Sequence, residues 1–247
     1  MGVLLEVCVD SVQSAVEAAK GGAGRIELCS ALSEGGLTPT VGLLKTIKHS
    51  IEPKIPIFAM LRPRRADFCF SNEEIQVILI DLEMLKENGA DGFVFGALTE
   101  AGKVNIPQCQ KIIKAAGDLQ VTFHRAFDVT DEKELVETCS VIADLGFQRL
   151  LTSGFRATAE NGLEQIKEIN LKFSQRLIVL PGAGINEKNV KMIIDETGCR
   201  EVHASARKAK DQTVSRISMG GSSADSDPLL VTSSTIVRNM VEILKSS

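Results

Sequence analysis

The chain contains no tryptophan and no tyrosine among its 247 residues. Those rings are the commonest recognition anchors and base-stacking platforms, so their absence argues against a nucleic-acid-binding surface. An excess of positive charge is missing too. Lys and Arg number 28 against 32 Asp and Glu, for a net charge of -4, which offers no general attraction to phosphodiesters or anionic lipid. No apolar run approaches the ~20 residues of a membrane-spanning helix. The six cysteines form no C-x-x-C pair and no dense framework, so free thiols are expected rather than disulfides. The opening residues enter an apolar strand at Val3-Leu4-Leu5, and Glu6 stands where a myristoylation motif wants Ser or Thr. A soluble cytoplasmic chain is the expectation, with the nucleus also open to it and no membrane or nucleic-acid partner.

What is present is an alternation. Short apolar or β-branched runs begin at Leu4, Arg25, Ile57, Gly92, Val121, Arg149, Leu177 and Glu201, and segments of helical periodicity follow each. In the fifth such segment Leu135, Val136, Cys139, Ile142 and Ala143 recur at spacings of three and four, one apolar stripe to lay against a sheet. Helix starts are signalled by Ser71 or Asn72, Pro107, Asp131 and Asn186, and helix ends by Gly89, Gly146 and Gly198. Eight strand-then-helix units in a chain of this length predict the α/β class: a single-domain (β/α)8 TIM barrel spanning 1–247. An open doubly wound sheet is disfavoured because Val9-Asp10-Ser11-Val12, not a G-x-G-x-x-G turn, follows the first strand. Barrels of this kind often self-associate, and a homo-oligomer is expected. Residues 207–230, rich in Ser, Gly and Asp, read as a long, partly disordered loop before the last helix.

Side chains of a barrel strand alternate between the helix layer and the lumen. Leu5 and Val7 suit the helix layer, which leaves Glu6 and Cys8 inward; Ile26 and Leu28 do the same for Arg25, Glu27 and Cys29. The two strands thus repeat a carboxylate followed by a thiol two residues on. Cys8 and Cys29 are expected to meet at the mouth, with Glu6 and Glu27 a layer below. Other strand ends add Arg62 and Arg64, then His124, Arg125 and Asp128, then Ser153, Gly182 and Gly184, and His203 and Ser205. The turns after the seventh and eighth strands are where barrels commonly hold phosphate on backbone N–H groups. For an enzyme acting on a small anionic or phosphorylated metabolite, Glu27, His124 and Asp128 are the acid–base candidates. Arg62, Arg64, Arg125, Ser153, Gly182, Gly184, His203 and Ser205 would bind the anion.

Several strings are specific. Arg25-Ile26-Glu27-Leu28-Cys29, Gly35-Gly36-Leu37-Thr38-Pro39, Arg62-Pro63-Arg64, Thr122-Phe123-His124-Arg125-Ala126-Phe127-Asp128, Leu151-Thr152-Ser153-Gly154 and Pro181-Gly182-Ala183-Gly184 together resemble the CutC family of copper homeostasis proteins. The resemblance runs from Glu6 to about Ser205 and implies the same barrel fold. It also implies Cu(I) binding through thiols, which would fall to Cys8 and Cys29, with Cys69 as a further candidate ligand; soft thiolates select Cu(I). One departure is Arg65-Ala66, where the family pattern leads one to expect two glycines.

Overall fold

The computed structural model describes residues 2–210 and 229–246. The apolar runs form β1 (Leu4–Val9), β2 (Arg25–Leu28), β3 (Ile57–Met60), β4 (Gly92–Phe95), β5 (Gln120–Phe123), β6 (Arg149–Thr152), β7 (Ile178–Pro181) and β8 (Glu201–Ala204). The helices are α1 (Val12–Gly21), α2 (Val41–Ser50), α3 (Asn72–Glu87), α4 (Ile106–Ala116), α5 (Leu135–Asp144), α6 (Leu163–Phe173), α7 (Val190–Thr197) and α8 (Ser234–Lys245). The strands run in the order β7-β6-β5-β4-β3-β2-β1-β8 with parallel pairing throughout. β7 and β8 lie side by side and bring the two ends together in a nearly closed barrel.

Helix boundaries follow local chemistry. Ser71 caps α3 in a full capping box with Glu74, and Asn105 caps α4 ahead of Pro107. Three helices begin later than their periodicity suggests. Short 3-10 turns occupy Glu132–Glu134 and Ala159–Gly162, and Asn186 N–H donates to the Asn189 side chain before α7 starts. Such side-chain bonds satisfy orphan donors without completing a helical turn. At the C-terminal side of the barrel, β9 (Arg207–Ala209) and β10 (Leu230–Thr232) pair antiparallel. Both ends of the segment expected as loop are therefore strand. The expectation of disorder between them falls on residues outside those described.

The core has two parts. Leu5, Val7, Val9, Ile26 and Leu28 join the large apolar layer between strands and helices, while Phe58, Met60, Val94 and Cys29 fill part of the lumen. Below them the lumen floor is charged. Arg25 bonds both Glu6 and Glu201, Arg149 bonds Glu201 at 2.9 Å, and Phe58 lies against the guanidinium carbons of both arginines at 5.0 and 5.3 Å. Buried ions survive only when paired and hydrogen-bonded, and this network meets that condition.

Candidate functional site

The pairing register decides which side chains share a level in the mouth. Cys8 is the partner of Glu27, and Glu6 of Arg25. Cys29 therefore stands two residues beyond the level of Cys8, just past the end of β2. This offset corrects the expectation of two level thiols. β2 enters two residues ahead of a side-by-side match, so the repeated carboxylate–thiol pattern is staggered across the pair. What the register and the β1–β8 pairing bring together is a thiol, a carboxylate and an imidazole. Ligand atoms of Cys8, Glu27 and His203, all buried, lie within 4.8 Å of one another.

His203 is fixed by Glu6. Its Nδ1–H donates to Glu6 Oε1 at 2.7 Å, and its Nε2 faces Glu27 Oε2 at 3.9 Å. Burial opposes a charged His203, but Cys8, Glu27 and Glu6 outweigh it and raise its pKa well above the ordinary imidazole value. Burial likewise opposes ionisation of Glu6, yet Arg25 and His203 hold its carboxyl down at about 2. Burial raises Glu27, and the Glu6 charge raises it further. Cys29 donates to Glu27 Oε2 at 3.5 Å. Burial first, then Glu27 and Cys8, push its thiol well above the usual range. A Cβ at Gly36 would sit 3.0 Å from Cys29 Sγ, and Gly36 has φ +88. Glycine is needed there for both the left-handed backbone and the close cover over the thiol.

Across the mouth, His124 presents the opposite chemistry. Its Nδ1 accepts from Ala126 N–H at 3.2 Å, which puts the ring proton on Nε2. Burial, with the Arg62 charge behind it, pushes its pKa down to about 3. His124 is thus a neutral N–H donor, where an acid–base group had been expected. Its Nε2, Arg62 Nε and Glu27 Oε1 are buried without a hydrogen-bond partner among the described residues. All three residues line one cavity of about 210 Å³, together with Cys8, Met60, Phe68, Arg125, Leu151, His203 and Arg207. A second compartment of about 240 Å³ shares Cys8, Arg125, Leu151 and His203 and adds Gly184 and Ser205.

Other expected site residues are engaged elsewhere. Asp128 accepts from Thr152 Oγ1, from the Ser153 and Phe155 N–H groups, and from Arg125. Ser153 Oγ accepts from Arg125 and donates to Asp128. These two clamp the loops after β5 and β6. Arg64 bonds Glu74, Asp67 and the Cys69 carbonyl, so it latches the loop after β3 and does not line the cavity. Cys69 lies on that loop, outside the thiol–imidazole–carboxylate group. Gly182 N–H is spent on the Thr152 carbonyl. Ala66, at the place where glycine was expected, has φ 81, and its carbonyl accepts from Arg62 at 3.0 Å. Holding a Cβ in that conformation costs about 1–2 kcal/mol. Sequence reasoning passed over Arg149 and Glu201, although Glu201 shares the strand face of His203 and the period of two pointed to it. Phe68 and Arg207 sit in loop-like sequence and gave no such signal.

A family model described as the CutC family matches residues 3–208. The copper homeostasis protein cutC homolog of Drosophila melanogaster is 48% identical, over 99% of this chain and 95% of its own length. The human homolog is 46% identical, over 99% of this chain and 90% of its own. The crystal structure of a copper homeostasis protein CutC from Streptococcus agalactiae superposes with a TM-score of 0.79 at 27% identity, covering 82% of this chain and 98% of that one. Thiamine phosphate pyrophosphorylase from Pyrococcus furiosus, at 17% identity and a TM-score of 0.60 over 99% of this chain and 96% of its own, shares the fold alone. With the family's model covering every barrel strand and relatives at 46–48% identity matching 99% of its length, this chain belongs to the CutC family.

Proposed function

We propose that this chain takes part in copper homeostasis by holding Cu(I) at the barrel mouth on Cys8 and His203, with Glu27 beside them. The observation that carries the reading is the convergence of a sulfur, an imidazole nitrogen and a carboxylate within 4.8 Å. Relatives that bear the name copper homeostasis protein support it. A thiolate selects cuprous copper and imidazole suits copper as well. Glu6 occupies Nδ1 of His203, leaving Nε2 as the ligating atom, as outer carboxylates do for metal-bound histidines. Copper must displace the proton that the surrounding carboxylates favour on His203, so uptake should rise with pH. Cys29, whose thiol donates to Glu27 Oε2, stays outside this pair, and a two-thiolate site on Cys8 and Cys29 is the alternative. The free state of all six cysteines supports a cytosolic setting. Among the described residues no helix is long and apolar enough to cross a membrane. Self-association would use exposed apolar residues such as Val77, Ile80 and Met84, spaced along α3.

The test is a Cu(I) competition titration under reducing conditions. Wild type should bind one equivalent, and Cys8→Ser or His203→Gln should each weaken binding at least tenfold. Cys29→Ser should have a smaller effect. Unchanged affinity in Cys8→Ser would remove copper from this site.

A second reading rests on a separate observation, the buried atoms of Glu27, His124, Arg62 and Arg207 that line one cavity and have no hydrogen-bond partner among the described residues. In it the barrel acts on a small anionic metabolite. Glu27 moves a proton, His124 donates to the developing oxyanion, and Arg62 and Arg125 balance charge. A phosphate on the ligand would enter the compartment of Gly184 and Ser205.

A further inference from the structure

We infer that the His124 side of the cavity is a binding subsite for a small 2-hydroxy carboxylate, its carboxylate on Arg62 and His124 and its hydroxyl on Glu27. This deepens the second reading above, but it concerns binding and stands without turnover.

The donors come first. His124 carries its proton on Nε2 because Ala126 N–H occupies Nδ1. Arg62 spends one N–H of Nη1 on the Glu34 carbonyl and one of Nη2 on the Ala66 carbonyl, which leaves Nε as its one nitrogen without a partner among the described residues. Phe68 supports both groups, its ring 4.8 Å from the His124 ring and 4.9 Å from the Arg62 guanidinium carbon. One neutral and one cationic N–H on the same wall call for an acceptor that is itself charged, and a carboxylate supplies two such oxygens. Leaving those N–H groups unpaired is unfavourable, so the wall is built for a ligand rather than for packing.

Glu27 Oε1 sets the second requirement. It has no hydrogen-bond partner among the described residues, while Oε2 takes the Cys29 thiol. A hydroxyl both donates and accepts, so it pairs with Glu27 whether that carboxyl is ionised or protonated. A ligand carrying only a carboxylate leaves Glu27 unsatisfied. Size sets the third. A volume of about 210 Å³ lies below the roughly 300 Å³ at which drug-sized pockets begin. The part of the ligand held here is therefore a few heavy atoms, with Leu32, Met60 and Leu151 to meet its carbon chain.

The experiment is calorimetric titration of the full-length protein, kept metal-free by a Cu(I) chelator, with glycolate, acetate and inorganic phosphate as probes. Glycolate should bind saturably and at least tenfold more tightly than acetate. His124→Phe, which keeps a ring on Phe68, should weaken glycolate at least tenfold, and Glu27→Leu should erase its advantage over acetate. Should His124→Phe fail to fold by circular dichroism, the glycolate-to-acetate ratio of wild type and of Glu27→Leu still decides. No saturable binding of glycolate, or equal binding of glycolate and acetate to wild type, would overturn the inference. Glycolate binding that is unaffected by His124→Phe and displaced by phosphate would overturn it too, since the anion would then sit in the Gly184 compartment. Because copper is absent throughout, failure here leaves the Cu(I) reading untouched, and failure of Cu(I) binding leaves this result standing.

Discussion

His124 shows how position overrides residue type. Histidine at a strand end invites an acid–base role, yet here burial and the neighbouring Arg62 charge hold it neutral, with a pKa of about 3. Gly96 helps to place it, since a Cβ there would come within 2.7 Å of His124 Nδ1. The consequence is a pH dependence with a definite sign. An unfolded histidine takes up a proton near pH 6.5, whereas this one stays unprotonated down to about 3. Its stabilising contribution is therefore present above pH 6.5 and is lost as the pH falls towards 3. Urea melts should show wild type losing, relative to His124→Phe, little between pH 7 and 6.5 and about 1.4 kcal/mol per pH unit between about pH 6 and 4. Parallel losses in the two proteins would mean that His124 titrates normally. His203 does not disturb the comparison. Its raised pKa makes its contribution complete below pH 6.5 and lost only as pH rises through the folded value.

At the level of the strands, the charged floor beneath the mouth does for β1, β2, β6 and β8 what an apolar plug does in other barrels. Glu201 bridges Arg25 and Arg149, and Arg149 also bonds Gln120 at 2.6 Å. Removing one buried partner strands the others, which typically costs about 3–5 kcal/mol. Glu201→Leu should therefore lower stability by about that much in urea, and the double change Arg149→Met with Glu201→Leu should recover part of it. A double variant as unstable as the sum of its parts would contradict coupling across the floor. The strands and the alternation that turns Glu6, Cys8 and Glu27 inward were legible in the sequence, because period and composition are local properties. The stagger between β1 and β2 was not, because register depends on how all the strands tilt to close the barrel. That stagger moved Cys29 away from Cys8 and put Glu27 in its place. Asp128 and Arg64 were visible as mouth residues, but their partners, such as Ser153 and Glu74, lie 25 and 10 residues away, beyond what spacing alone can pair.

For the molecule as a whole, the C-terminal end of the barrel holds two chemistries side by side. On the β1–β8 side stand a thiol, a carboxylate and a carboxylate-anchored imidazole; on the β3–β5 side, a neutral imidazole and a guanidinium share one aromatic support. The first suits a soft cation and the second an oxyanion, and Glu27 lies between them. The most direct measurement is X-ray absorption at the copper edge of Cu(I)-loaded protein. A site on Cys8 and His203 should give one sulfur near ~2.3 Å and one nitrogen near ~2.0 Å, by analogy with zinc distances, and the nitrogen should vanish in His203→Gln. Two sulfurs with no nitrogen would instead put the ion between Cys8 and Cys29, and protein that retains no copper would contradict the site altogether.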